Sequence, residues 1–428
     1  MRKRISSDYI WFFRKRTLLW GIVGLFVFVC VGAAAPFVFK TTYAPILAKV
    51  ETIPEPPKPP PVMHLKTPSP LKSIYMTSCV AGTPSFRKSL IKLIEETEIN
   101  AVVIDIKDYT GTISFIPEDP ALKDLVSTRC FAPDMKEFLK SIHEKGIYII
   151  GRIAVFQDPY LVKMHPELAV KKKSDKTTWK DYKGLSFTDP GAIEVWKHNV
   201  AIAKASYDIG FDELNFDYIR FPSDGPMNDI YFTYSDGQQK SDVLERFFAY
   251  LAKEMKSVPP STGSGQGPVI SADLFGMVTT NTDDLNIGQI LEKALPHFDY
   301  IAPMIYPSHY PKDFNGWANP NKYPYELIKY VLNSAVARTI ATTTVIALLG
   351  EEPISTTTTP LLYRKKSFDA QKIRPWLQDF DYGGNYDIPE VQAQIKATYD
   401  AGLTSWMLWS PSNRYTKGAL LPATVISE

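Results

Sequence analysis

The residues of this chain that could carry chemistry are carboxylates set into strand-like runs. The clearest run is ELNFDYIRFPSDG, Glu213–Gly225, an apolar stretch that holds Asp217 and continues into Arg220-Phe-Pro. A carboxylate buried in such a run is costly unless it is paired or functional. At a strand's period of two, Asn215 and Asp217 share one face while Leu214, Phe216 and Tyr218 share the other. The apolar set is expected against helices and the polar set toward an interior. A second carboxylate, Asp273, lies in VISADLFG. Two carboxyl groups, one protonated and one ionised, are what glycoside hydrolysis needs. A basic neighbour, Arg152 or Arg220, favours an ionised Asp217. An apolar setting among Leu274, Phe275 and Met304 favours a protonated Asp273. The plainer reading is a structural ion pair of Asp217 with Arg152 or Arg220.

These residues need elements to position them. From about residue 72 to 415 strand-like and helix-like segments alternate. Strands are expected at 73–78, 101–108, 148–156, 213–221, 269–276, 300–307, 373–380 and 405–413. Helices are expected between them: one that Pro133 opens, others over 193–210, 242–255, 286–297, 325–339 and 389–401. Eight βα units fit a (β/α)8 TIM barrel, with an open doubly wound sheet as the competing arrangement. No strand is followed by a glycine-rich phosphate loop, which weighs against the nucleotide-binding alternative. The excess over a compact barrel falls in 109–132, 157–190, 308–325 and 341–372, the last a threonine-rich insertion.

A barrel of this kind gathers its site at the C-terminal ends of its strands. There the sequence places Asp105, Arg152, Asp217, Arg220, Asp273, Met304, Tyr306, Trp376, Gln378, Asp379, Trp406 and Trp409. Asp105 is suited to hydrogen-bonding a sugar hydroxyl or Arg152, and Lys107 with Asp108 reads as a solvated loop pair. Tyr306, Trp376, Trp406 and Trp409 could stack on sugar faces or simply fill the core. Of the six histidines only His309 lies at a strand end, and no set of residues has metal-ligand spacing or the form of a Gly-x-Ser-x-Gly elbow. No metal and no cofactor is expected. The net charge of +2 gives no case for a nucleic-acid partner.

Upstream, residues 1–16 form a basic tail with Arg2, Lys3, Arg4, Arg14, Lys15 and Arg16. Residues 17–39 are uncharged and long enough to cross a bilayer, which is expected to be an uncleaved anchor rather than a signal peptide. The positive-inside rule keeps the N-terminus cytoplasmic and sends everything after residue 40 outside. Residues 40–71, with eight prolines between Glu51 and Pro70, read as a semi-rigid stalk, and 416–428 as a C-terminal tail. Cys79 and Cys130 form either one disulfide or two free buried thiols.

The pieces FDELNFDYIRFPSDG, IDIKD, GRIAVFQDP, APMIYPSHY, RPWLQDFDYG and WMLWSPSN run in order from about 72 to 415. In them the chain resembles the "putative glycosyl hydrolase domain", a (β/α)8 family. The threonine-rich insertion before Ile373 departs from that pattern. The resemblance implies an exported barrel that acts on or binds carbohydrate. By comparison with related glycosidase barrels, it implies a nucleophile at Asp217, with Asp273 first and Asp379 second as acid/base. The leading expectation is a membrane-anchored, extracytoplasmic glycoside hydrolase of cell-wall or extracellular polysaccharide. The competing expectation is a non-catalytic glycan-binding or cell-envelope scaffold protein on the same barrel. A metal-dependent hydrolase is the weakest of the three.

Overall fold

The computed structural model describes residues 62–261, 263–340 and 367–423, with Leu25 besides. Eight parallel strands close into a barrel: β1 Lys72–Met76, β2 Ala101–Lys107, β3 Tyr148–Ala154, β4 Glu213–Asp217, β5 Val269–Phe275, β6 Tyr300–Ile305, β7 Trp376–Gln378 and β8 Trp406–Trp409. Each strand pairs with its sequence neighbours, and β1 closes the ring against β8. The helices between them are α1 Pro84–Glu95, α2 Met135–His143, α3 Ile193–Ile209, α4 Lys240–Lys256, α5 Leu291–Ala294, α6 Pro324–Thr339 and α7 Ile388–Asp400. This is the (β/α)8 architecture that the alternation of patterns implies, and not an open sheet. A two-stranded antiparallel ribbon, Lys171–Lys172 with Ile230–Tyr231, ties the loop after β3 to the loop after β4.

The elements follow from their apolar spacing. In α2, Met135, Phe138, Leu139 and Ile142 bury one face. The helix starts after Asp134, one residue beyond the Pro133 expected to open it. In α3, Trp196, Val200, Ala203 and Tyr207 do the same, and Gly210 ends the helix at φ +120°, a conformation that favours glycine. Strands are shorter than their apolar runs. β4 stops at Asp217 because Tyr218 takes a left-handed φ of +52° and turns the chain, so Arg220 lies in a loop. α5 is only a four-residue helix where residues 286–297 were expected to be helical.

The barrel interior is layered. At its N-terminal end Arg374 Nη2 donates to both Glu213 carboxylate oxygens at 3.0 and 2.9 Å, and its guanidinium lies 3.4 Å from the centre of the Tyr300 ring. Above it Val103, Ile150, Ala302 and Met407 form an apolar layer. The top layer carries Asp105, Arg152, Asp217, Asp273 and Trp376. A register shift in β2 between Asp105 and Lys107 turns Lys107 outward, beneath α3. Lys107 is fully buried there, its Nζ donating to Asp158 Oδ2 at 2.7 Å and Asn199 Oδ1 at 2.8 Å. The expected solvated pair with Asp108 is therefore absent.

Residues 62–71, the end of the expected stalk, pack across the N-terminal end of the barrel. The His64 ring stacks on Tyr207 at 4.0 Å, Leu65 N donates to Asp212 Oδ1 at 2.7 Å, and Leu71 N donates to Ser405 Oγ at 3.0 Å. The C-terminal stretch to 423 returns to the same end, where Leu421 N donates to Glu98 Oε1 at 3.0 Å. Cys79 and Cys130 are joined as a disulfide, which decides between the two alternatives left by the sequence. Residues 17–39 apart from Leu25, and most of the threonine-rich insertion, fall outside the described residues. Among the described residues no helix is long and apolar enough to cross a membrane.

Candidate active site

Arg152 organises the top of the barrel. It projects inward from β3 between the acidic residues of β2, β4 and β5, and its exposure is only 6%. Nη1 donates to Asp105 Oδ1 at 2.7 Å, while Nε, at 3.1 Å, and Nη2 both donate to Asp217 Oδ2. Nε also stands 3.7 Å from Asp273 Oδ2. Burial works to lower the pKa of this guanidinium, but Asp217 and Asp105 outweigh it and push the pKa well up, so the cation is fixed. Its flat face is 5.2 Å from the Trp409 ring centre, and Trp409 stacks on Tyr75 at 3.9 Å. The Tyr75 hydroxyl in turn donates to Asp105. Burial raises the pKa of Asp105 against the opposing pull of Arg152.

Asp217 and Asp273 differ in what surrounds them. Asp217 accepts every hydrogen bond it makes: two from Arg152 and one from Tyr218 N at 2.6 Å. Asp273 is 1% exposed and accepts from Asn215 Nδ2 at 2.9 Å and Trp376 Nε1 at 2.8 Å. Burial, reinforced by the nearby Asp217 charge, raises its pKa to about 8. Two carboxyls, Asp273 with its pKa raised and Asp217 tied to the Arg152 cation, thus sit on adjacent strands. Both share one guanidinium Nε, so their oxygens are closer than the sum of 3.1 and 3.7 Å.

Both carboxyls line an open cleft of about 380 Å³, together with Arg152, Tyr218, Arg220, Phe275, Met304, Tyr306, His309 and Trp409. Two further cavities adjoin it. One of about 440 Å³ shares Tyr218 and Arg220 with it. The other, about 670 Å³, shares Arg152, Tyr218 and Trp409 and reaches Asp105 and the disulfide. A concave, aromatic-walled groove with a few convergent polar groups is the form of a ligand site.

Residues 73–415 match the family model described as "Putative glycosyl hydrolase domain". The chain belongs to this family. As a member of the glycosyl hydrolase family it is a glycan-acting enzyme of the glycosidase class. A hypothetical protein from Ruminiclostridium thermocellum is 32% identical over 47% of this chain and 96% of that one, with a TM-score of 0.41. The spore cortex-lytic enzyme SleL of Bacillus megaterium is 10% identical, covering 85% and 74% of the two chains, at a TM-score of 0.44. The β-amylase catalytic domain of Paenibacillus polymyxa is 11% identical, covering 83% and 95%, at 0.47. A search of curated proteins finds no match.

Within this glycosyl hydrolase barrel, the residues singled out in the sequence do not all reach the cleft. Arg152, Asp217, Arg220, Asp273, Tyr306 and Trp409 do, and Asp105 borders the adjoining cavity. Trp376 is fully buried and meets Asp273 rather than solvent, so it positions that carboxyl and offers no stacking face. Gln378, also fully buried, accepts from Ser308 N and Oγ at 3.1 and 2.8 Å and so holds the loop after β6. Asp379 accepts from Thr416 N at 3.0 Å and Oγ1 at 2.7 Å, which ties it to the C-terminal segment. Trp406 faces the helix layer and donates to Tyr399 OH at 2.9 Å. None of these four lines the cleft or the two cavities beside it. Sequence reasoning missed Tyr75, whose inward face follows from the period of β1, and placed Tyr218 on the wrong face. The positive φ that swings Tyr218 into the cleft is rare for an aromatic residue and leaves no sequence signal.

Proposed function

We propose that this protein is a retaining glycoside hydrolase of a cell-wall or extracellular polysaccharide, held outside the cytoplasmic membrane by residues 17–39. Asp217 is the nucleophile and Asp273 the acid/base. The observation that carries this is the pair itself: two carboxyls around one guanidinium in an open cleft, with the Asp273 pKa raised to about 8. A general acid must hold its proton at working pH, and burial beside Asp217 does this for Asp273. Asp217, held by two hydrogen bonds from the Arg152 cation, is the nucleophilic partner. Retaining enzymes set the two groups about 5–5.5 Å apart and inverting ones about 6.5–9.5 Å. The shared Nε keeps these two oxygens short of most of the inverting range, which supports the retaining outcome.

The anchored, external location is supported by the uncharged segment 17–39 with its preceding basic residues, and by the Cys79–Cys130 disulfide, since such bonds persist in oxidising compartments. The deciding experiment is Asp217→Asn, assayed against a panel of wall and extracellular polysaccharides. Reducing-sugar release is expected to disappear while binding of the same polysaccharide is retained. Hydrolysis equal to that of the unmodified protein would remove Asp217 from the role of nucleophile.

A further inference from the structure

Arg220 stands apart from Arg152 and Arg374, the arginines buried in the barrel. Arg152 is bound by Asp105 and Asp217, and Arg374 by Glu213. Arg220 has no carboxylate within 4.0 Å among the described residues. Its Nη1 donates to Phe221 O at 3.2 Å and Ser223 Oγ at 3.1 Å, and its remaining donors have no partner among the described residues. The guanidinium is packed among aromatic rings, 4.8 Å from the centre of Phe275 and 5.2 Å from that of Tyr218. Burial lowers its pKa from the ordinary value, as expected for a cation short of counter-charge. A half-buried guanidinium held in one plane, with free donors at a cleft wall, is built to take an oxyanion in a fork.

Its location says which sugar it would meet. Arg220 and Tyr218 are the residues shared by the cleft of Asp217 and Asp273 and by the adjoining 440 Å³ cavity. That second cavity also carries Lys183, which makes no ion pair among the described residues. Asp181 lines it too, but its Oδ1 is taken by Lys183 N and Leu185 N at 2.9 and 2.8 Å. Asp224 is exposed at its edge.

We propose that Arg220 recognises an anionic group on the sugar unit that occupies the junction of these two cavities, so that the substrate is an acidic polysaccharide. This rests on the glycosidase reading above and narrows it to a substrate class. A ring carboxylate, as in a uronic acid, and a phosphate substituent present the same oxyanion chemistry to the fork.

The test is binding of matched ligands to the full chain carrying Asp217→Asn, which blocks turnover. The probes are uronic-acid tetrasaccharides, the same tetrasaccharides after carboxyl reduction, and phosphate-substituted oligosaccharides with their dephosphorylated forms. Tryptophan fluorescence is read, Trp409 being in the cleft. The charged member of at least one pair is expected to bind about tenfold more tightly than its neutral counterpart. Arg220→Gln should bring that ratio to near one, and Arg220→Lys should restore part of it. A gain confined to uronates assigns a carboxylate, and a gain confined to phosphorylated sugars assigns a phosphate. Equal binding within every pair, or a preference that survives Arg220→Gln in a folded variant, overturns the proposal. Hydrolysis by the chain with Arg152, Asp217 and Asp273 intact would still stand in that case, so failure here is separable from failure of the catalytic pair.

Discussion

Asp273 carries the sharpest consequence of burial. Its protonated form is the one a general acid uses, so activity is expected to hold below about pH 8 and fall as pH rises through that value. Asn215 and Trp376 donate to the ionised form and restrain the rise, so Trp376→Phe should move the alkaline limb of kcat/KM to higher pH. The same shift has a stability sign. A carboxyl whose pKa is higher folded than unfolded binds more protons in the folded state, so stability declines between about pH 4 and about pH 8. Asp273→Asn removes that slope and keeps an oxygen for Asn215 and Trp376. Its gain in Tm over the unmodified protein should therefore be larger at pH 8 than at pH 5, with activity lost at both. At this scale the sequence was informative about Arg152, Asp217 and Asp273, because period two in a strand sends their faces inward. It was less so for aromatics. Trp406 and Trp409 are three residues apart and must point to opposite faces, so at most one can reach the interior; Trp409 does.

Elements were legible where a long apolar face repeats, as in α2 and α3, and less so where the chain leaves its period. The irregularity in β2 is the clearest case. Alternation alone puts Asp105 and Lys107 on one face, but the register shift between them sends Lys107 into the helix layer, where Asp158 and Asn199 take all the contacts its amine makes. A bulge has no fixed sequence signature, so nothing before the structure separated a solvated lysine from a buried one. Removing one partner of a buried pair leaves an uncompensated charge. Lys107→Met is expected to destabilise the protein by about 3–5 kcal/mol in urea unfolding. The double variant with Asp158→Asn should recover much of that loss, although neither residue lines the catalytic cleft.

At the scale of the molecule, the eightfold alternation of strands and helices was enough to give the barrel, and the limits of its folded part were not. Residues 62–71 look like linker by composition, and their docking depends on Tyr207, Asp212 and Ser405, which are distant in sequence. The Cys79–Cys130 bond closes a separation of 51 residues, and its loss in the Cys79→Ser, Cys130→Ser double variant should cost about 4 kcal/mol. Because both cysteines line the cavity next to Arg152, the same variant should raise KM for a polymeric substrate. Membrane fractionation checks the anchor: the full chain is expected to resist alkaline extraction, and a chain lacking residues 1–40 to be released by it.

The docking of residues 62–71 also sets where mechanical load enters the protein. The strand ends they cross are opposite the ends that carry Asp217 and Asp273. A pull on the chain upstream of residue 62 is taken first by the Leu65–Asp212 and Leu71–Ser405 hydrogen bonds and by the His64–Tyr207 stack. These contacts are expected to yield before the strands that follow them. In the proposed anchored protein, tension from upstream is therefore expected to be borne at the end of the barrel opposite the two carboxyls.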